Sequence, residues 1–557
     1  MQVLARGGRG RAQPKRAYLV ELRVNGMCIR LSLWRVVILV IAVLFVAAYG
    51  QWALFGLPEL PPSSALSTAA PQGFPPWLRI THYINFFFLI LLIRSGLQVL
   101  ADHPRLYWNV HCTPGTEWLR FTPLDVPTDR VWTAKDDSRY LSPWIGLPGY
   151  RHTIGMARHW HFLSILFWVT NGLIYVVLLF GTGQWERLIP ASWRVVPDAW
   201  AIFVHYATFH LPPELGFYRY NALQQLAYFA VVFVLAPLAI LTGPSMSPAL
   251  TNRFKWYPRL PGNRQIGRSL HFLVMCAFIV FIIGHVAMVT ATGLLRNMNH
   301  IVLGTSDARP IGLLLGLLGI GVVLMANGLA NWLAWRRPRA VQHVAKAIVT
   351  PVMESLLNRA APCAEFDPGE ISPFLWPNGK VPTSDEWKKL AANNFSDYRL
   401  KIYGLVENPV ELSLKDLRAI GAKRHTTLHH CIQGWSGIAE WGGVPMIELI
   451  GLVRPKPNAR VAVFHSFGEG LEGGLYYDSH SLANLQHPQS LLAYEMNFKP
   501  LGELHGAPLR LRVENQLGFK MVKWIRSIEF VESVARVGEG EGGYNEDHEY
   551  FGELANI

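Results

Sequence analysis

Six long apolar segments dominate the first 340 residues of this 557-residue chain. Each is close to the roughly 20 residues that an α-helix needs to cross the hydrocarbon core of a bilayer. A spanning helix satisfies its backbone hydrogen bonds within itself, so this pattern predicts an all-α six-helix transmembrane bundle. The segments are 34–55, 80–100, 159–181, 223–243, 269–291 and 311–334.

The remainder of the chain has a different character. Short strand-like runs at 398–405, 460–467, 508–514 and 525–531 are separated by Gly, Pro and Asn turns, and a helix is predicted over 446–452. This pattern indicates a soluble α+β domain, so the chain is predicted to be multi-domain. The predicted parts are a basic N-terminus (1–33), a membrane domain (34–335), an irregular Pro-rich linker (336–392) and the soluble domain (393–557).

Basic residues mark the loops that we expect in the cytoplasm. Loop 244–268 carries five Lys or Arg and no acid, and the segment after residue 335 is also basic. The positive-inside rule then places the N-terminus, loops 101–158 and 244–268, and the soluble domain on the cytoplasmic side of a bacterial inner membrane. The net charge of +13 comes without a nucleic-acid-binding motif, so no nucleic-acid partner is expected.

Four histidines are predicted to lie at matching depths in this bundle. His271 and His285 are 14 residues apart in the fifth helix, which places them on one face and about 21 Å apart along the axis. His82 begins the second helix on the outer side, and His161 begins the third on the inner side. Neutral imidazole is an axial haem ligand. We therefore predict an outer haem between His82 and His285 and an inner haem between His161 and His271, with His159 as a rival to His161.

The membrane segments resemble the cytochrome b subunits of formate dehydrogenase and nickel–iron hydrogenase over roughly residues 77–300. The resemblance implies that the four histidines are haem ligands, and Arg158 favours His161 over His159. It also implies exchange of electrons with membrane quinone or quinol. The first and sixth helices lie outside the matched core. The matching segments are THYINFFFLILLIRSGLQ (81–98), RHWHF (158–162), YNALQQLAYF (220–229) and LHFLVMCAFIVFIIGH (270–285).

The soluble domain holds a single cysteine, Cys431, in the sequence HTTLHHCIQGWSGIAEWGGVP (425–445). A thiolate suits a transition metal, and basic surroundings lower the pKa of a thiol. The five cysteines of the chain are scattered without a CxxC pair, which argues against a disulfide framework, an iron–sulfur cluster or a zinc site. We therefore expect Cys431 to act alone.

Four basic side chains lie around two glycine turns in a second segment of the soluble domain. This segment is LLAYEMNFKPLGELHGAPLRLRVENQLGFKMVKWIRSIEFV (491–531). Such a group can hold a phosphate through charge-assisted hydrogen bonds. On composition alone, a solvated basic face is the simpler interpretation. The four residues are His505, Arg510, Lys520 and Lys523.

From about Asn393 to the C-terminus these motifs resemble the sulfite oxidase superfamily of molybdopterin enzymes. The resemblance implies that Cys431 ligates molybdenum and that HGAPLRL (505–511) and GFKMVKW (518–524) bind the pterin and its phosphate.

Several shorter segments are most similar to the catalytic subunit of bacterial methionine sulfoxide reductase. They are NNF (393–395), CIQGWS (431–436), GLYYDSHSL (474–482) and the tail NEDHEYFGELANI (545–557). This similarity implies that Asn394 lies near the cofactor and that Asp478 lies beside the metal. We also expect His429 to bind the cofactor, and Asp478 and Tyr477 to shape the substrate side.

The predicted function is that of a membrane-bound molybdenum oxidoreductase. It would pass electrons between a cytoplasmic molybdopterin site and quinone, or a periplasmic redox carrier, through two b haems, and reduce a small S-oxide or N-oxide. Trp435 and Ser436 stand where sulfite oxidases carry an arginine-rich run, which favours a reductase. The alternatives are a sulfite-type dehydrogenase, a non-catalytic electron-transfer protein, and a transporter that relays protons through its histidines.

Overall fold

The structure is a computed structural model. It describes residues 19–24, 27–60, 73–122, 125–127, 130, 132–150, 154–212, 216–254, 256–257, 262–357, 364–552, 555 and 557, and side chains are described from residue 38 onward except at 354–357. Near the N-terminus, strands β1 (Leu19–Val24) and β2 (Met27–Ser32) pair as an antiparallel hairpin.

The membrane part is built almost entirely of helices. Its helices are α1 (Leu33–Phe55), α2 (Pro76–Ala101), α3 (Ala134–Asp137), α4 (Ile154–Gly181), α5 (Val195–Ala207), α6 (Ala222–Phe229), α7 (Ala236–Ser245), α8 (Pro248–Arg253), α9 (Arg264–Ala291), α10 (Leu294–Val302), α11 (Ile311–Arg336) and α12 (Pro338–Leu357). A π-helical turn over Ala230–Leu235 joins α6 and α7. Loop 102–153 adds a short ladder of β3 (Arg105–Leu106) and β4 (Leu119–Arg120).

Six of these segments are long and apolar enough to cross a membrane: α1, α2, α4, the joined α6–α7, α9 and α11. Their outward faces carry large apolar side chains, such as Leu173, Val280 and Met325, that are exposed in the isolated chain. An exposed apolar surface of this extent fits contact with lipid rather than water. The six-helix prediction is confirmed, and the chain is a multi-pass membrane protein.

The prediction of an irregular linker is wrong over Pro338–Leu357, which form helix α12. Pro338 stands at the first helical position, where a missing N–H costs nothing. Gln342 and Arg339 on this helix donate hydrogen bonds to carbonyl oxygens of the C-terminal tail, at Phe551 and Glu546. Helix α12 therefore links the C-terminal tail of the soluble domain to the membrane bundle through hydrogen bonds.

The soluble domain contains two sheets of five strands each. One has the order β10-β9-β14-β5-β6 and the other β12-β11-β8-β7, with β13 paired to β11. The strand predictions and the helix predicted at 446–452 are confirmed. The strands are β5 (Arg399–Gly404), β6 (Val410–Ser413), β7 (Lys423–His430), β8 (Ser436–Pro445), β9 (Val461–Glu469), β10 (Leu475–Ser481), β11 (Leu491–Met496), β12 (Lys499–Pro500), β13 (Arg510–Arg512) and β14 (Ile525–Val531). The helices are α13 (Asp385–Ala392), α14 (Leu414–Ile420), α15 (Met446–Val453), α16 (Leu482–Leu485) and α17 (Tyr544–His548).

One hydrophobic core is shared between the soluble domain and the membrane part. Tyr107 and Ile154 of the membrane part are buried in the same cluster as Cys431, Trp441 and Phe551. The soluble domain therefore packs on the end of the bundle where α2 ends and where α4 and α9 begin. The loops that the charge pattern assigns to the cytoplasm, 101–158 and 244–268, lie at this end.

Candidate functional site

Two pairs of histidine rings face each other within the bundle. The ring centroids of His82 and His285 are 6.4 Å apart, and those of His161 and His271 are also 6.4 Å apart. Two metal–imidazole bonds of about 2 Å each, plus roughly half a ring on either side, span about 6 Å. Each gap therefore fits one iron held between two imidazoles, and the structure brings together both of the predicted pairs.

Hydroxyl groups on neighbouring helices orient the inner pair. Ser95 Oγ lies 3.0 Å from His161 Nδ1, and Thr242 Oγ lies 3.0 Å from His271 Nδ1. A hydrogen bond at Nδ1 fixes the ring orientation and leaves Nε2 for a metal. His159, the rival of His161, instead contacts the backbone carbonyl of Tyr550 through Nε2 at 2.9 Å.

A mainly aromatic cluster lies between the two histidine pairs. Trp168, Val274 and Phe278 form a buried cluster against which Phe88 packs. The indole of Trp168 is held by a 2.8 Å hydrogen bond to Asn85. Because Val274 and Phe278 lie between His271 and His285 on α9, this cluster occupies the middle of the bundle.

Cys431 stands in the tight turn between β7 and β8. Its N–H donates to the carbonyl of Trp435 at 3.1 Å, and its carbonyl accepts from the N–H of Gly434 at 3.1 Å. Gly434 adopts φ +108°, which side chains rarely permit, and a Cβ there would lie 3.1 Å from Arg268 Nε. The turn thus needs glycine at 434 both for its backbone shape and for close contact with α9.

Two side chains at the start of α9 donate hydrogen bonds to the backbone of the turn that contains Cys431, here called the cysteine turn. Arg264 donates to the Cys431 carbonyl at 3.2 Å, and Gln265 donates to the Gly434 carbonyl at 2.9 Å. His271 follows Arg264 by two turns, about 10 Å along the helix. One helix therefore links the cysteine turn to both histidine pairs, because His285 is on α9 as well.

A cavity of about 430 Å³ contains Cys431 in its lining. Burial raises the pKa of the Cys431 thiol to about 12. The expectation that basic surroundings would lower this pKa is therefore wrong for the protein by itself, since burial outweighs the charges of Arg264 and Lys135. A bound metal reverses this balance, because a coordinating thiol is deprotonated. Asn378, which the sequence did not single out, places its side-chain nitrogen 3.9 Å from Cys431 Sγ.

Predicted basic residues line the same cavity, namely His429, His505, Arg510 and Lys523. Arg510 Nε is buried and has no hydrogen-bond partner among the described residues. Burial, then the charge of Arg510, holds the pKa of Lys523 well below its ordinary value. Two cations crowded together out of water favour a bound anion, so this end of the cavity fits a cofactor phosphate.

Four other predicted site residues do not line this cavity. Asp478 is fully buried and, with Glu546, forms an ion pair with Lys520. Burial raises the pKa of Asp478 well above its ordinary value, with the charge of Glu546 acting in the same direction. Tyr477 donates to Asp547, and Asn394 is exposed in a turn at φ +55°. Asp478, predicted to lie beside the metal, and Lys520, predicted to help hold a phosphate, therefore pair with each other outside the lining of this cavity.

Replacement of Lys520 by methionine is expected to destabilise the protein. The change leaves two buried carboxylates without their cation, at a cost of about 3–5 kcal/mol. The melting temperature of the soluble domain, followed by tryptophan fluorescence, is expected to fall by roughly 10 °C. The control is Lys401→Met, which breaks the exposed pair with Glu411 and is expected to lower the melting temperature by less than about 3 °C. Equal shifts in the two variants would contradict a structural role for the buried pair.

The fold and the site together define a membrane redox protein that joins a cavity with a buried thiol to a bundle with paired imidazoles. A family model for the oxidoreductase molybdopterin-binding domain matches residues 387–536, and one for prokaryotic cytochrome b561 matches residues 73–302. The chain belongs to the molybdopterin-binding oxidoreductases, with a cytochrome b domain preceding the catalytic one.

Three relatives illustrate the similarity. The uncharacterized oxidoreductase YuiH of Bacillus subtilis is 33% identical over 25% of this chain and 68% of its own length. The putative protein-methionine-sulfoxide reductase subunit YedZ1 of Azospira oryzae is 29% identical over 33% of this chain and 68% of its own. The protein-methionine-sulfoxide reductase catalytic subunit MsrP of Xanthomonas campestris is 32% identical over 27% of this chain. This chain spans half of the length of that last relative.

Proposed function

We propose that this molybdenum oxidoreductase reduces a small S-oxide or N-oxide with electrons that reach it from membrane quinol through two b haems. The observation that carries the proposal is the contact between α9 and the cysteine turn. Arg264 binds the backbone of Cys431, and His271 follows on the same helix. A redox cavity and a haem-binding helix that contact each other directly are arranged for electron transfer between them.

The chain's own residues would bind and orient the molybdopterin. Cys431 would supply the protein thiolate, while Arg510, Lys523 and His505 would hold the phosphate. His429 is fixed beside them by a 3.0 Å contact between its Nδ1 and Arg512. The cofactor supplies oxygen-atom transfer when bound, and the protein supplies binding, orientation and electrostatics.

The reaction balances with quinol as the reductant. One oxide, two electrons and two protons give the deoxygenated product and one water, and one quinol supplies two electrons as it becomes quinone. His82 and His285 would hold the outer haem, and His161 and His271 the inner haem. The relative named as a methionine sulfoxide reductase supports an S-oxide as substrate.

The soluble domain is proposed to face the cytoplasm. The loops at its end of the bundle are those with the excess of Lys and Arg, which bacterial membrane proteins retain inside. A single cysteine introduced at Thr383, which is exposed, would be labelled by a membrane-impermeant maleimide only in inverted vesicles. Labelling in intact spheroplasts would contradict this orientation.

The purified protein is expected to contain one molybdenum and two b haems per chain. Metal analysis and a reduced-minus-oxidised spectrum would measure both. Addition of dimethyl sulfoxide or trimethylamine N-oxide to the quinol-reduced protein is expected to reoxidise the haems. Haems that sulfite reduces, but that no oxide reoxidises, would instead establish a sulfite-type dehydrogenase. A colourless protein without molybdenum would contradict both activities.

A further inference from the structure

The membrane part supplies one wall of the cavity that contains Cys431. Asp102, at the end of α2, and Lys135, in α3, line the cavity with Glu549 of the C-terminal tail. Asp102 and Glu549 are both buried. The ammonium of Lys135 lies 3.2 Å from a carboxylate oxygen of Glu549. A single site is thus built from residues more than 400 positions apart.

Gln433 connects this wall to the cysteine thiol. Its side-chain oxygen is 3.7 Å from Cys431 Sγ, and its side-chain nitrogen donates to the Asp102 carbonyl at 3.4 Å. The charges of Asp102 and Lys135 both act on the thiol, in opposite directions. The wall therefore lies on the metal-binding side of the cavity.

The wall formed by Asp102, Lys135 and Glu549 has no net positive charge as long as at least one of its two carboxyls is ionised. Burial raises the pKa of Asp102 and of Glu549, and the charge of Lys135 opposes that shift in each. With both carboxyls ionised the three groups sum to one negative charge, and with one protonated they sum to zero. Lys380 and Glu469 also line the cavity and offset each other in charge. Arg510 and Lys523 line it as well, but a phosphate carrying about two negative charges would neutralise them.

We propose that Asp102, Lys135 and Glu549 form the substrate-facing wall and select a neutral oxide over an oxyanion. The inference rests on the proposed reductase function and names the charge class of its substrate. An anion that approaches this wall meets no net positive charge, and with both carboxyls ionised it meets a net negative one. It must also lose its water as it enters. A sulfoxide or amine oxide has no net charge and meets no such repulsion.

The test compares dimethyl sulfoxide with chlorate as acceptors for the full-length, quinol-reduced protein. In the double variant Asp102→Asn, Glu549→Gln, Lys135 is left as the one charge of the wall. The ratio of kcat/KM for chlorate to that for dimethyl sulfoxide is expected to rise roughly tenfold. Lys135→Met changes the charge in the opposite direction and is expected to lower the ratio. Asp125→Asn removes an exposed carboxylate in the same loop and is expected to leave it unchanged.

The outcomes separate this inference from the function on which it rests. Variants whose molybdenum and haem contents equal those of the wild type are folded. The double variant and Lys135→Met change the charge in opposite directions, so each tests the kcat/KM ratio independently. A wild-type preference for chlorate, or a ratio that stays within about twofold in every variant, would overturn the inference while leaving the reductase intact. Oxidation of sulfite with no oxide reduced would overturn the reductase proposal and this inference with it.

Discussion

Replacement of Cys431 by serine is expected to lower turnover to less than about a thousandth of the wild-type rate, a loss typical of a group that acts directly in the reaction. A serine hydroxyl is a harder and far less acidic ligand than a thiol, so it does not replace a thiolate on a soft transition metal. The turn itself should persist, because its two backbone hydrogen bonds do not involve the side chain. Quinol-dependent reduction of dimethyl sulfoxide measures the loss, and the haem spectrum is expected to remain that of wild type.

Cys112 provides a matched control for this change. It is buried in the same hydrophobic core, and its sulfur accepts from the Ser436 N–H at 3.5 Å, but it is not part of the cavity lining. Burial raises the pKa of its thiol to about 11, so both cysteines are protonated in the protein by itself. Cys112→Ser should therefore retain activity within a few-fold. If Cys431→Ser keeps full activity, or if the two variants lose equal amounts, the assignment of Cys431 as the metal ligand is wrong.

The bundle could be predicted from the sequence because its signals are local. Each span is a continuous apolar run, and the separation of His271 and His285 fixes their relative position on one helix. The pairing with His82 and His161 then follows from the direction of each helix. The sequence also indicated Cys431, since a lone thiol among histidines and tryptophans is unusual in a plain strand.

The wall of the cavity could not be predicted, because its members are distant in sequence. Asp102 and Gln433 are in contact although 331 residues separate them. Gln433 lies in the CIQGWS segment that indicates a site, but Asp102 belongs to no such pattern. Only the packing of the end of α2 against the soluble domain brings the two residues together. Helix α12 was missed for a related reason, since its mixed composition and Pro351 resemble a linker, while its partner is the C-terminal tail.

Asp478 is a residue that the sequence assigned to the site but that does not line the cavity. A resemblance of sequence placed it beside the metal, and an acidic residue there would suit proton transfer. In the fold it lies on β10 and forms a buried ion pair with Lys520. A short sequence motif can predict the strand on which a residue lies. It does not predict the charged partner of that residue when the partner, here Lys520, comes from another part of the chain.

Replacement of His271 by alanine is expected to remove the inner haem, and replacement of His285 the outer one. Each change would take away one of the two imidazoles that are proposed to hold an iron, so that the remaining histidine would be a single ligand. Haem content is therefore expected to fall from two to one per chain in either variant, as measured by the pyridine haemochrome spectrum. Quinol-driven reduction of dimethyl sulfoxide should stop in both, because the electrons would have to pass each haem in turn.

The decisive experiment assays the His271 and His285 variants with an electron donor that does not depend on the haems. Reduced methyl viologen, a small soluble donor, can reach the molybdenum cavity without the haems, so both variants should retain activity with it. His159→Ala is the matched control, because His159 contacts the Tyr550 carbonyl rather than the inner pair, and it should keep both haems. Loss of a haem in His159→Ala with retention in His161→Ala would exchange the roles of these two residues. Unchanged quinol-driven activity in His285→Ala would show that electrons enter at the inner pair, so that the outer haem is not on the route to the cysteine turn.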